Sequence, residues 1–176
     1  NTHGYAPCYA ELLKMLGVEK ELDVLEIGLG TNNPSFISTM GGHGKPGASV
    51  KAFKEYLKNA NIYGADLDKS ILFEEERIKT AFVDQTKLDT FDQMCNALGK
   101  FQFDMIVDDG LHSSEANINT LIFAMKSLKN NGWVVIEDIP ERTLDVWHCV
   151  NLILGKNAGT IVKAKRAHLF VWQKTA

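Results

Sequence analysis

"GTIVKAKRAHLFVWQK", Gly159 to Lys174, decides the fold. It holds two apolar runs, "GTIVKAK" and "AHLFVWQK", separated by little more than Arg166. Parallel neighbours need a crossover of a dozen or so residues, so two strands joined this tightly must pair antiparallel. Upstream the pattern differs. Strand-like runs "LDVLEIG" (22–28), "NIYGADLD" (61–68), "KTAFVD" (79–84), "FDMIVDD" (103–109) and "WVVIED" (133–138) alternate with helical segments. Tyr9, Leu12, Leu13 and Leu16 share a helical face before Gly17. Ser49 stands as N-cap of a helix through "VKAFKEYLKNA", and Leu88–Leu98 forms another. Ser114–Leu128 follows, closed by "NNG", and Glu141–Leu154 has Pro140 near its start. The reading is an α/β, Rossmann-like fold: a mostly parallel seven-stranded sheet with helices on both faces, finished by an antiparallel hairpin.

Composition bounds what such a domain does. The 176 residues suit a single domain spanning 1–176, with 45% hydrophobic and 23% charged residues. A net charge of -3 gives no footing for nucleic acid, and the short "KAKR" run reads as strand-edge decoration. Cys8, Cys95 and Cys149 form neither a disulfide framework nor a zinc spacing, which fits a cytoplasmic setting. No run is long enough for a membrane span, and Asn1 reads as a trimmed start.

The chemistry concentrates at strand ends, where open α/β sheets bind their ligands. "EIGLGTN" places Glu26, Gly28 and Gly30 at the first turn. Asn33 stands where a dinucleotide fingerprint has its third glycine, which argues against a pyrophosphate there. Asp66 ends the second strand, where a carboxylate can accept the hydroxyls of a ribose, or cap a following turn. Asp84 and Gln85, in "VDQT", can meet an adenine amine. "IVDDGLHSSE" and "VIEDI" bring Asp108, Asp109, Glu137 and Asp138 to neighbouring strand ends, flanking the switch in strand order. Crowded carboxylates repel one another unless a cation joins them, and an all-oxygen set suits magnesium, calcium or manganese. His112 can face the same crevice and take a proton from a substrate hydroxyl. The plainer reading makes Asp109 and Asp138 helix caps. His43 reads as a loop residue, His148 and His168 as packing, the three tryptophans as core, and His3 with Tyr5 as an ordinary arm.

A parallel sheet with a terminal hairpin is the layout of class I S-adenosylmethionine-dependent methyltransferases. "THGY", "EIG.G", "GKPGAS", "IYGADLDKS", "VDQT", "FDMIVDDGLH" and "GWVVIEDI" occur in that order along the chain. Together they resemble the metal-dependent sugar O-methyltransferases of macrolide antibiotic biosynthesis, of the mycinamicin 2''-O-methyltransferase type. The resemblance implies Asp109, Glu137 and Asp138 as ligands of Mg2+ or another hard divalent cation, and His112 as general base. It sets Gly28 and Gly30 against the methionine part of S-adenosyl-L-methionine, Asp66 on the ribose, Asp84 and Gln85 near the adenine, and Asp108 beside the sulfonium. Glu26 and Ser49 are counted with this cofactor-binding set. The expected reaction is O-methylation of a small-molecule hydroxyl, a sugar or other diol, with homo-oligomer formation left open. The alternatives are a metal-independent methyltransferase and a non-catalytic adenosyl-binding subunit; an NAD-dependent oxidoreductase is opposed by the glycine pattern and the hairpin.

Overall fold

The computed structural model describes residues 3–175. Asn1, and Thr2 of the "THGY" stretch, lie outside the described residues. Among the described residues, eight strands form one sheet: β1 (Asp23–Ile27), β2 (Asn61–Asp66), β3 (Glu74–Glu75), β4 (Ile78–Phe82), β5 (Phe103–Asp108), β6 (Leu128–Ile139), β7 (Thr160–Lys163) and β8 (His168–Gln173). Their order is β3-β4-β2-β1-β5-β6-β8-β7. The core strands β4, β2, β1, β5 and β6 run parallel, and β8 pairs antiparallel with both β6 and β7. The hairpin expected from "GTIVKAKRAHLFVWQK" is therefore present. The eighth strand is the short β3, an antiparallel edge on β4 built from two exposed glutamates. No apolar alternation marks it, which is why the expected sheet had seven strands. The switch in strand order falls between β1 and β5, so β5 and β6 are neighbours on one side of it and do not flank it.

The sheet is covered on both faces. Alternation along each strand sends Val24, Met105, Val107, Val135 and Leu169 to one side. There they meet Leu12, Leu13 and Leu16 of α1 (Ala6–Leu16) and Val50 of α2 (Ala48–Tyr56). Leu25, Ile106, Val134, Ile136 and Phe170 face the other way. They meet Phe91 and Met94 of α3 (Asp89–Leu98), Leu121 and Phe123 of α4 (Ser114–Ser127) and Trp147 of α5 (Leu144–Leu154). Trp147 is fully buried with its ring centroid 4.5 Å from that of Phe170, so truncating it to alanine would cost roughly 3–5 kcal/mol.

Local signals explain most element ends. Ser113 caps α4 by accepting from the Ala116 N–H at 3.2 Å. Gly99 closes α3 in the left-handed conformation at φ 68°. Two expectations fail. Gly47, left-handed at φ 73°, precedes α2 where Ser49 was expected as cap. "NNG" does not end α4: the helix stops at Ser127, and 130–132 lie inside β6, with Asn131 left-handed at φ 65°. Cys8, Cys95 and Cys149 are free thiols, and no described helix is long and apolar enough to cross a membrane.

Candidate active site

Strand register lines up the carboxyl edge of the sheet. Ile27 pairs with Ala65 and with Asp108, and Asp108 with Ile136. The next residues along, Gly28, Asp66, Asp109 and Glu137, therefore reach the edge at one level. Gly28 (φ 97°) is needed because a Cβ there would lie 2.1 Å from the Asp109 carbonyl oxygen. The first turn thus packs backbone against backbone on the turn after β5.

Two crevices open on this edge. The first runs along the ends of β1, β2, β4 and β5, past Gly28, Asp66, Val83, Asp84 and Leu111. The second lies toward α2 and β6, lined by His3, Lys45, Ser49, His112 and Asp138 among others. Both share Gly28, Gly30, Ser38, Asp109 and Gly110 as a common wall.

Along the first crevice the acids are held in different ways. Asp66 is buried and accepts the Leu29 N–H at 2.7 Å through Oδ2 and the Asp68 N–H at 2.8 Å through Oδ1. The capping role weighed for Asp66 falls to Asp68, which accepts from Ser70 at the start of the turn Lys69–Ile71. Asp84 accepts the Thr86 hydroxyl at 2.6 Å and pairs with Lys87 at 2.8 Å. Gln85 has its amide committed inward: it donates to Asp108 (2.7 Å) and Thr120 (3.0 Å) and accepts from the Leu111 N–H (2.9 Å). A Cβ on Gly110 would strike the Gln85 Oε1 at 2.0 Å, so the glycine of "DDG" makes room for this brace. Asp108 is fully buried; besides Gln85, it accepts from the Asn117 amide at 3.0 Å. Asp108, which the sequence reading set beside the sulfonium, is thus an enclosed, hydrogen-bonded carboxylate that fixes the β5–α4 turn. Glu26 is likewise buried and accepts the Ser49 hydroxyl at 2.7 Å. Burial raises the Glu26 carboxyl to about 8; the Ser49 hydrogen bond opposes this, and nearby Asp109 adds to it.

The second crevice holds the metal candidates. Ligand atoms of Asp109, His112 and Asp138 lie within 4.8 Å of one another. The His112 Nε2 is 3.7 Å from Asp109 and 4.0 Å from Asp138. Burial, then the charges of Glu137, Asp138 and Asp108, push the Asp109 carboxyl up to about 8. Glu137 is pushed up to about 7, first by burial; a hydrogen bond from Tyr9 opposes this, and Glu26, Asp138 and Asp108 add to the rise. Glu137 thus belongs to the same acidic field, but its carboxylate lines neither crevice and stands outside the tight three-residue group.

A β-bulge sets these positions. Between the pairs Ile136–Phe170 and Ile139–His168, β6 spends one residue more than β8. Asp138 takes up the difference in the left-handed conformation at φ 52°, and His112 is left-handed too at φ 55°. Such backbones are uncommon outside glycine and cluster where function over-determines them. Without the bulge, successive side chains of β6 would point to opposite faces.

The arm before α1 is the part that the sequence reading treated as ordinary. The Tyr5 hydroxyl donates to Asp138 Oδ1, and the Tyr9 hydroxyl, one helical turn on, donates to Glu137 Oε1. His3 Nδ1 lies 3.0 Å from the same Asp138 Oδ1. Spacing is the one signal available: Tyr5 and Tyr9 lie four apart, hence on one helix side, but nothing local names their partners. His43 and His148 are exposed, His168 is buried, and Trp147 and Trp172 sit in the core as expected.

No family model matches the chain. It is 30% identical over 141 residues to the demethylmacrocin O-methyltransferase of Streptomyces fradiae, covering 78% of this chain and 32% of that protein. It is 30% identical over 124 residues to the mycinamicin VI 2''-O-methyltransferase of Micromonospora griseorubida, covering 68% and 28%. Among solved structures it superposes on MycE, a methyltransferase of the mycinamycin biosynthetic pathway solved with Mg, S-adenosylhomocysteine (SAH) and mycinamycin VI. The TM-score is 0.74 at 21% identity, over 97% of this chain and 50% of MycE. The chain spans about a third of the length of the curated relatives it matches.

Proposed function

We propose that this chain, a class I methyltransferase by fold and a sequence relative of sugar O-methyltransferases, moves a methyl group from S-adenosylmethionine to a hydroxyl of a sugar or similar diol. The observation that carries the reading is the shared wall. A crevice along the strand ends and an acidic crevice meet at Gly28, Gly30, Asp109 and Gly110, so a donor in one lies against an acceptor in the other. Asp66, anchored by two backbone N–H groups, keeps lone pairs for ribose hydroxyls. Asp84 borders the adenine end, and Gly28 and Gly30 border the methionine end.

The acidic crevice fits a hard divalent cation. Its donors are carboxylate oxygens beside one imidazole, and burial has raised Asp109 and Glu137, with which no lysine or arginine pairs among the described residues. Asp109 and Asp138 would hold the ion, with Glu137 as the third carboxylate. When bound, such an ion supplies Lewis-acid polarisation of an acceptor hydroxyl. His112, at the mouth of the pair, takes the hydroxyl proton. The freed oxygen bonds to the sulfonium methyl as the carbon–sulfur bond breaks, releasing S-adenosylhomocysteine. Placing His112 outside the ion's own ligands keeps an imidazole lone pair for that proton.

Titration with S-adenosylhomocysteine and with NAD, each with and without Mg2+, tests the assignment, together with methyl transfer from labelled donor to small diol acceptors. Homocysteine-product binding and Mg2+-dependent labelling are expected. Tight NAD binding with none of the homocysteine product overturns it.

A further inference from the structure

We infer that His3 and Tyr5 of the arm, with Tyr9 of α1, are the outer shell of the acidic site: His3 and Tyr5 orient Asp138 so that its second oxygen faces a divalent cation, and Tyr9 fixes Glu137 behind it. This rests on the metal reading above and adds three positioning residues to it. Tyr5 and His3 both engage Asp138 Oδ1. The other oxygen, Oδ2, is the one that faces the His112 Nε2 at 4.0 Å. Tyr9 engages Oε1 of Glu137 and leaves Oε2 to accept elsewhere. A carboxylate tied at one oxygen loses its freedom to rotate, so the remaining oxygen has a defined direction before any ion arrives.

The rest of the arm is built to hold the donors still. Tyr5 is buried, and its ring meets that of His3 edge-on at 5.4 Å. The Tyr9 ring packs edge-on against Phe53 of α2 at 5.9 Å. The His3 carbonyl accepts the Lys165 N–H at 3.1 Å, which ties the arm to the β7–β8 turn. The Tyr5 and Tyr9 hydrogen bonds span 133 and 128 positions in sequence, so the chain's first described segment completes a site made by its β6 strand.

The test is calorimetric Mn2+ binding in the presence of S-adenosylhomocysteine, for the wild type, Tyr5→Phe, Tyr9→Phe and His3→Ala. Phenylalanine keeps each ring and removes only the donor. Each tyrosine variant is expected to bind Mn2+ about tenfold more weakly, with unchanged affinity for the homocysteine product. His3→Ala, which removes a donor from the exposed side, should show a smaller loss in the same direction. Tyr63→Phe is the control, since its hydroxyl lies at the far end of the sheet, 3.4 Å from Asp23; it should leave Mn2+ affinity untouched. Wild-type Mn2+ affinity in both tyrosine variants overturns this inference and leaves the metal reading standing. A wild-type protein that takes up no Mn2+ overturns both.

Discussion

The two ends of the central sheet hold the same acidic side chains and treat them in opposite ways. At the amino end, Lys129 Nζ lies 2.9 Å from Asp23 and 2.7 Å from Asp104, and Lys100 Nζ lies 2.5 Å from Asp23. Burial alone would raise Asp23; the hydrogen bonds and charges of Lys100 and Lys129 together outweigh it and hold the group below the ordinary carboxylate value. At the carboxyl end, Asp109, Glu137 and Asp138 have tyrosine and histidine neighbours, and among the described residues no lysine or arginine pairs with them. Burial and mutual repulsion there drive Asp109 and Glu137 upward. A fold that neutralises its acids at one end, and does not at the other, is what the proposed cation site calls for.

Replacing Asp109 by alanine or asparagine should break the carboxyl end most severely. A loss of at least about 100-fold in both Mg2+ affinity and turnover is expected, with S-adenosylhomocysteine affinity nearly unchanged. Glu137→Ala should act in the same direction. Full turnover of both alanine variants in a chelator would sink the metal reading. His112→Ala sharpens the comparison by separating proton transfer from ion binding. Turnover should fall by roughly 10²–10⁴ while Mn2+ affinity stays at the wild-type value; a parallel collapse of Mn2+ affinity would make His112 a ligand. At the opposite end, Lys129→Met removes the lysine beside Asp104 and one of the two beside Asp23. Lys129 is about one-third exposed, so the cost falls between surface and buried pairs, about 1–2 kcal/mol by chemical denaturation. Turnover and product affinity should not change, and a large activity loss there would erase the distinction between the ends.

The smallest effect is a difference in sign with pH. Asp109 and Glu26 have folded values near 8 and Glu137 near 7, above their unfolded values, so the metal-free native state holds more protons than the unfolded chain. Their contribution is complete below about pH 4 and is lost as pH rises toward 8. Asp23 is lowered, so its contribution is present above its unfolded value and is lost as pH falls. Thermal unfolding of the metal-free protein should therefore show stability declining between pH 5 and about 8, and saturating Mg2+ should flatten that decline. A decline of equal slope with and without Mg2+ would argue that the raised acids do not meet the ion.

Apolar runs alternating with helical segments, and the short final connection, made the sheet, its terminal hairpin and its two helical layers legible in the sequence. So were the acid pairs, because strand ends collect at one edge whatever the loops do. The fate of each acid was not. Asp108 and Asp109 are adjacent in "VDDG", yet one is enclosed by Gln85 and Asn117 and the other faces the crevices. That division depends on side chains from β4's turn and α4, which no local spacing reveals. Tyr9 read as one more apolar position of α1, because a helical face shows its period and not the polar tip of a residue that reaches across it. The left-handed Asp138 was equally hidden, since aspartate carries no glycine-like mark of positive φ.

The bulge in β6 has a consequence for how such domains diversify. It consists of one extra residue opposite β8, placed beyond the last regular pair at Ile136 and clear of the first crevice. Only Glu137 and Asp138 lie between the flanking pairs, so deleting the extra residue would restore plain alternation and remove one of the two acids, while the turns after β1, β2 and β4 kept their places. The proposed cation site is in this sense a detachable module, a single indel away from a domain that retains the proposed donor crevice and would have to activate its acceptor by imidazole alone.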